Sequence, residues 1–192
     1  PPYKKMFPQV DVQIYEAMSD DLLSALLKDE INFYIIPRDL KDLPGGLQTE
    51  CIYRENLYLI AAPGIVKAED LADPAQNIVN DAFLKKQPFI SIKKGHAIRK
   101  KTDSIFRKKK ITPIVSMEVS SCISAVQLAH SGLGITIVPS RAPEALGGTD
   151  RFCCYQYGEN PDAWDVNVVY KKDSYLDRTE RSFIELLKSV FP

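Results

Sequence analysis

The chain has 192 residues, enough for one large domain or two small lobes. Hydrophobic residues make up 45% and charged residues 26%, the balance of an ordinary globular protein. Formal net charge is zero, which argues against a domain that itself neutralises a nucleic-acid backbone.

No apolar run reaches the roughly 20 residues of a membrane helix, and the Pro1–Pro8 start resembles neither a signal nor a transit peptide. A cytoplasmic location is expected. The four cysteines, Cys51, Cys122, Cys153 and Cys154, form no CxxC pair and stand near no His at metal spacing. No metal site and no cofactor is expected, and the thiols read as reduced, small hydrophobes.

Along the chain, Val10–Tyr15 alternates apolar and polar residues and predicts a strand. Ser19-Asp20-Asp21 opens a helix, with Ser19 as its cap and Leu22, Leu23, Leu26 and Leu27 as its apolar stripe. Ile31–Ile36 predicts a buried strand stopped by Pro37, and residues 38–46 a polar loop. Leu47–Tyr53 and Leu57–Ala62 predict two more strands, and Ala75–Lys86 a helix. Pro88–Ile92 predicts a strand, and His96–Lys110 a helix with a basic surface.

The pattern continues with a strand at Ile114–Val119, a helix from Cys122 to His130, and a short strand at Ile135–Val138 closed by Pro139. Strands at Arg151–Gln156 and Val166–Tyr170 precede a helix at Leu176–Val190. Alternating strands and helices predict an α/β fold with parallel strands and crossover helices.

Catalytic signatures are missing. Neither His96 nor His130 accompanies a GxSxG elbow, and there is no HExxH, P-loop or GxGxxG. The acids are scattered, so no general acid/base pair stands out. Three strand–helix junctions remain: Met18-Ser19, Lys93-Lys94-Gly95-His96 and Val119-Ser120-Ser121. Each can present hydroxyls and backbone N–H groups to an anion. The plainer reading makes Ser19, Ser120 and Ser121 helix caps only, and spacing favours it. Likewise, the basic run from Lys100 to Lys110 fits a solvated helix face better than a nucleic-acid patch. His96 fits an exposed or capping role, and Trp164, Tyr155 and Tyr157 fit packing better than an aromatic cage.

Four stretches, in this order and spacing, resemble the effector-binding domain of LysR-type transcriptional regulators: FPQVDVQIYEAMSDDLLSALLKDEINFYII, PGGLQTECIYRENLYLIAAPG, MEVSSCISAVQLAHSGLGITIVPS and VNVVYKKDSYLDRTERSFIELLKS. The resemblance implies two Rossmann-like lobes, like a type 2 periplasmic binding protein, with a ligand cleft between them. Lobe I would be 1–61 with 166–192, and lobe II 62–165. The implied effector is a small molecule, often a carboxylate-bearing metabolite.

By position, the resemblance places Ser19 and Pro37 of lobe I, and Lys93, Gly95, His96, Ile98, Val119, Ser120, Ser121 and Pro139 of lobe II, at the effector. It implies a homodimer or tetramer, with the helices after Ser19 and Ser120 at the interface. It further implies contact with DNA only through an N-terminal winged helix-turn-helix outside this chain, and no membrane association. Two departures stand out: the family's usual first strand has no counterpart before Pro2-Tyr3, and Pro74–Gln87 is longer than usual. Cys122 lacks the preceding segment of the family's peroxide sensors, so no redox switch is expected. The rival readings are a solute-binding protein of a transporter and an enzyme on the same scaffold.

Overall fold

A computed structural model describes residues 2–37, 43–157 and 163–190. Part of the predicted loop at 38–46 therefore lies outside the described residues. The chain divides into two compact units, Pro1–Arg54 with Trp164–Pro192, and Glu55–Ala163.

The first unit opens with helices α1 (Pro2–Met6) and α2 (Ser19–Leu27), then strands β1 (Tyr34–Pro37) and β2 (Leu47–Glu55). In the second unit β3 (Leu57–Ala61) leads to β4 (Leu71–Asp73), β5 (Ile78–Val79) and α3 (Asp81–Lys86). Next come β6 (Pro88–Ile92), α4 (Ala97–Lys108), β7 (Ile114–Val119) and α5 (Cys122–His130). After β8 (Thr136–Pro139), α6 (Arg141–Ala145) and β9 (Cys153–Gln156), the chain returns to the first unit as β10 (Trp164–Lys171) and α7 (Arg178–Val190).

In the first unit the sheet order is β1-β10-β2, with β1 antiparallel to β10. Central β10 is buried along most of its length because both its faces are covered. Val169 packs with Leu26 of α2 on one side. Val168 and Tyr170 pack with Ile184 of α7 on the other. Helix α1 joins this layer through Tyr3, whose hydroxyl donates to the Thr179 carbonyl and whose ring meets Phe183 edge-on at 5.0 Å.

The second unit's sheet runs β4-β5-β9-β3-β8, and β6 pairs in parallel with β7. A parallel bridge from Phe89 to Ile135 joins the two sheets. Leu59, Ile60, Ile90, Ile135 and Ile137 form its solvent-free centre, covered by Ala125, Val126 and Ala129 of α5 and by Ile105 and Phe106 of α4. Burial of Ile98, Thr102, Ile105 and Phe106 leaves Lys100, Arg107, Lys108 and Lys110 on the solvated side of that helix, as the sequence predicts.

Four expectations need correcting. Residues 10–15 form no strand: Ile14 is 86% exposed, and Val10 spends its N–H on the Phe7 carbonyl while its own carbonyl accepts from Lys4. An alternating pattern yields a strand only where a neighbour completes the ladder. The predicted helix at Ala75–Lys86 is instead a hairpin followed by α3. Asp73 accepts the N–H groups of Ala75 and Gln76, and Asn77 turns left-handed at φ 57°, so turn chemistry overrides helix propensity.

Parallel pairing is seen at β6–β7, β5–β9 and the Phe89 bridge, but β1 runs antiparallel to β10, and β3 runs antiparallel to both β8 and β9. That pairing also moves the division between units. Leu57–Ala61 belongs with the second unit, so the crossings fall at 54/55 and 163/164 rather than 61/62 and 165/166.

Candidate functional site

Two parallel strands ending side by side, each feeding a helix, place two helix N-termini next to each other. Strands β6 and β7 do this: Ile92 is in register with Val119, and the Lys93 N–H donates to the Val119 carbonyl at 2.9 Å. Just beyond lie Lys93-Lys94-Gly95-His96, entering α4, and Ser120-Ser121, entering α5. Gly95 adopts φ 97°, a left-handed turn that a side chain would strain. Strand β8 runs parallel to β6 at the bridge, so Pro139 closes it on the same side of the sheet.

The helix termini here are open. His96 at the N-cap of α4 and Ser121 at the N-cap of α5 make no side-chain capping bond, and neither helix has an acid in its first turn. Two other helices, α3 and α7, satisfy their own N-termini with side chains. Asn80 accepts the Phe83 N–H of α3, and Asp177 accepts the N–H groups of Thr179 and Glu180 of α7. The capping role favoured from spacing therefore does not hold for Ser120 or Ser121.

Orphan N–H groups and an uncompensated helix dipole favour an anion at such a terminus. The exposed Lys93 and Lys94 add positive charge. Ile98 differs from its neighbours in the set: its side chain is buried, so only its backbone N–H faces the terminus.

In the first unit, α2 is capped by position at Met18, not Ser19, again without a side-chain bond. Ser19 is the first helical residue, and Asp20 and Asp21 already occupy the first turn. This end is less receptive to an anion than those of α4 and α5. Pro37 ends β1, half-buried. A surface cavity of the first unit, about 430 Å³, is lined by Lys172, Arg178 and Arg181, among others. Its Asp177 is committed to capping and its Arg181 to Glu50.

A residue the sequence reading passed over is Arg99. Its Nε donates to both oxygens of Asp103, at 2.9 and 3.0 Å. Its Nη1 donates to the Ile92 carbonyl at 3.0 Å and to Glu118 at 2.5 Å. The i,i+4 Arg–Asp spacing was the available signal, but it pointed only along the helix. Bonding to Glu118, against some burial, raises the guanidinium pKa further above its ordinary value.

Two of the thiols are held towards the protonated form. Burial, with the nearby charge of Glu55, pushes Cys122 up to about 11, and burial with Cys153 pushes Cys154 up to about 11. Both are therefore poor nucleophiles near neutral pH. Among the described residues no group of three His, Cys, Asp or Glu is placed to hold a metal ion. Among them, too, no helix is long and apolar enough to cross a membrane. Tyr157 donates to Asp81 and lies under Lys109, a packed position rather than part of a cage.

Over residues 1–192 the chain matches the LysR substrate binding domain. It is 23% identical over 188 residues to the HTH-type transcriptional regulator CzcR of Bacillus subtilis, covering 98% of this chain and 59% of that protein. The chain thus spans about three fifths of the length of the curated relatives it matches.

Among solved structures, it resembles the Synechocystis CcmR regulatory domain in complex with 2-PG, with a TM-score of 0.81 at 17% identity, covering 98% of this chain and 87% of that one. The effector binding domain of a BenM variant gives a TM-score of 0.79 at 13% identity, covering 100% and 88%. A reduced form of OxyR from N. meningitidis gives 0.73 at 16% identity, covering 97% and 83%. Fold, sequence order and family match agree: this chain belongs to the family of LysR substrate binding domains, the effector-sensing part of LysR-type transcriptional regulators.

Proposed function

We propose that this domain senses a small anionic effector, a carboxylate-bearing metabolite, and converts it into control of transcription without catalysing a reaction. The observation that carries this is the pair of open N-termini of α4 and α5, side by side and flanked by Lys93 and Lys94, in a chain whose α3 and α7 are capped. Lys93, Gly95, His96, the Ile98 backbone, Val119, Ser120, Ser121 and Pro139 form the site. A CcmR domain in complex with 2-PG and a QuiR effector binding domain in complex with shikimate support the class of ligand.

The mechanism is a population shift: an effector held better in one conformation favours that conformation. DNA contact then comes from a winged helix-turn-helix outside this chain. The assembly is a cytoplasmic homodimer or tetramer, with α2 and α5 at its interface. The solute-binding alternative loses ground, because the relatives are transcriptional regulators.

The test is an amide-resolved NMR titration of the chain with shikimate, 2-PG and inorganic phosphate. Binding should shift the amides of 95–98 and 120–123, and Lys93→Ala should weaken it. If none of the three moves those amides, the anion-site reading is wrong. Turnover of a bound compound would replace sensing with catalysis.

A further inference from the structure

Both walls of the proposed site hang on one side chain. Arg99 sits in the first turn of α4, and its side chain is only 14% exposed. Its Nη1 reaches the carbonyl of Ile92, the last residue of β6 before the Lys93–Gly95 loop. The same nitrogen reaches Glu118, one residue before the Val119-Ser120 junction. Ser91 is in register with Glu118 and Ile92 with Val119, so the guanidinium spans the ends of two strands and the start of a helix. Asp103 holds the Nε edge of the fork from within α4.

With Nε and Nη1 committed in this way, the Arg99 guanidinium is fixed in place, unlike the exposed Lys93 and Lys94. We infer that Arg99, with Glu118, is the positioning residue of the effector site, fixing the α4 terminus against the α5 terminus so that both can meet one anion. This rests on the anion-site reading above, but part of its test needs no ligand.

Three variants separate the bonds. Arg99→Lys keeps the charge and loses the planar fork. Glu118→Gln weakens the link across strands, while Asp103→Asn weakens only the link within α4. Hydrogen exchange of the chain without ligand should quicken about tenfold at 93–98 and 119–122 in Arg99→Lys, the scale of one charge-assisted hydrogen bond. Glu118→Gln should act at the same amides, Asp103→Asn should leave them near wild type, and exchange in β3 and β8 should stay unchanged in all three. Titration with inorganic phosphate should then show weaker binding in Arg99→Lys and Glu118→Gln, with Asp103→Asn close to wild type.

Faster exchange throughout the unit would make Arg99 a general stability element and overturn the inference. So would unchanged exchange at 93–98, or undiminished phosphate binding in Arg99→Lys. Failure of phosphate to bind the wild-type chain, with exchange changed as expected, would overturn the site reading and the positioning role together while leaving Arg99 a mechanical brace.

Discussion

Replacing Glu50 by Gln should remove a pH-dependent part of the first unit's stability. Glu50 lies on β2 and accepts hydrogen bonds from the Tyr170 hydroxyl of β10 at 2.5 Å and from Lys188 at 2.9 Å. It also pairs with Arg181, which like Lys188 belongs to α7. Burial pushes its carboxyl up, but the bonds from Tyr170, Lys188 and Arg181 outweigh burial and hold it at about 2 instead of 4.5.

A drop of that size corresponds to an upper bound of about 3 kcal/mol. Arg181 and Lys188 are 43% and 29% exposed, so water and salt screen the pairs, and about 1–2 kcal/mol is the working figure. Because the folded pKa lies below the unfolded one, this stability is fully present above the unfolded value of about 4.5. It fades as pH falls from there towards 2, as the folded carboxylate takes up its proton. Urea unfolding of wild type and Glu50→Gln at pH 7, 5, 4 and 3 measures it. The gap between the proteins should be about 1–2 kcal/mol at pH 7 and shrink steadily below pH 4.5. A gap that stays constant across this range would refute the ionic account and leave only a packing effect.

Gly134 precedes β8 at φ 152°, and a Cβ there would stand 2.6 Å from the Pro88 carbonyl oxygen, which accepts the Ile135 N–H. Gly134→Ala should therefore cost about 2–4 kcal/mol through strain and overpacking, read as a lowered urea midpoint. Wild-type stability in this variant would show that the β6–β8 joint yields. Among the thiols, exposed Cys51 should react first with a thiol reagent at pH 8, and Cys122 and Cys154 should lag, because burial holds both at about 11. Rapid labelling of Cys122 in the folded chain would contradict its burial.

Much of this protein is legible in its sequence, for reasons that are local. Pro88–Ile92 and Ile114–Val119 are found at their predicted bounds because β-branched residues bounded by Pro or Ser favour the extended state, whether the strand is buried, as in β6, or largely exposed, as in β7. Helix α5 starts and stops where Ser121 and Ser131-Gly132 place it. The order of these elements, with GLGI before a short strand, was enough to indicate the family.

Residues 10–15 and 75–80 were misread because their outcome depends on partners and turns. An alternating segment without a neighbouring strand gains no ladder, and Asp73-Pro74 with Asn77 closes a hairpin before a helix can nucleate.

The site divides the same way. Composition and spacing located the junctions at Lys93–His96 and Val119–Ser121, because small polar residues between a strand and a helix are visible in one dimension; Ser19 opens a helix, but no strand precedes it. They could not decide whether those serines cap their helices, since capping depends on side-chain rotamers that form only with the fold. Nor could they connect Arg99 to Glu118, nineteen residues away. The sequence by itself determined most of the strands and helices and where the β6–α4 and β7–α5 junctions lie. Only the tertiary structure decided which junctions adjoin, which helix ends stay open and which side chain braces them, because each depends on strand pairing that brings distant residues within hydrogen-bonding reach.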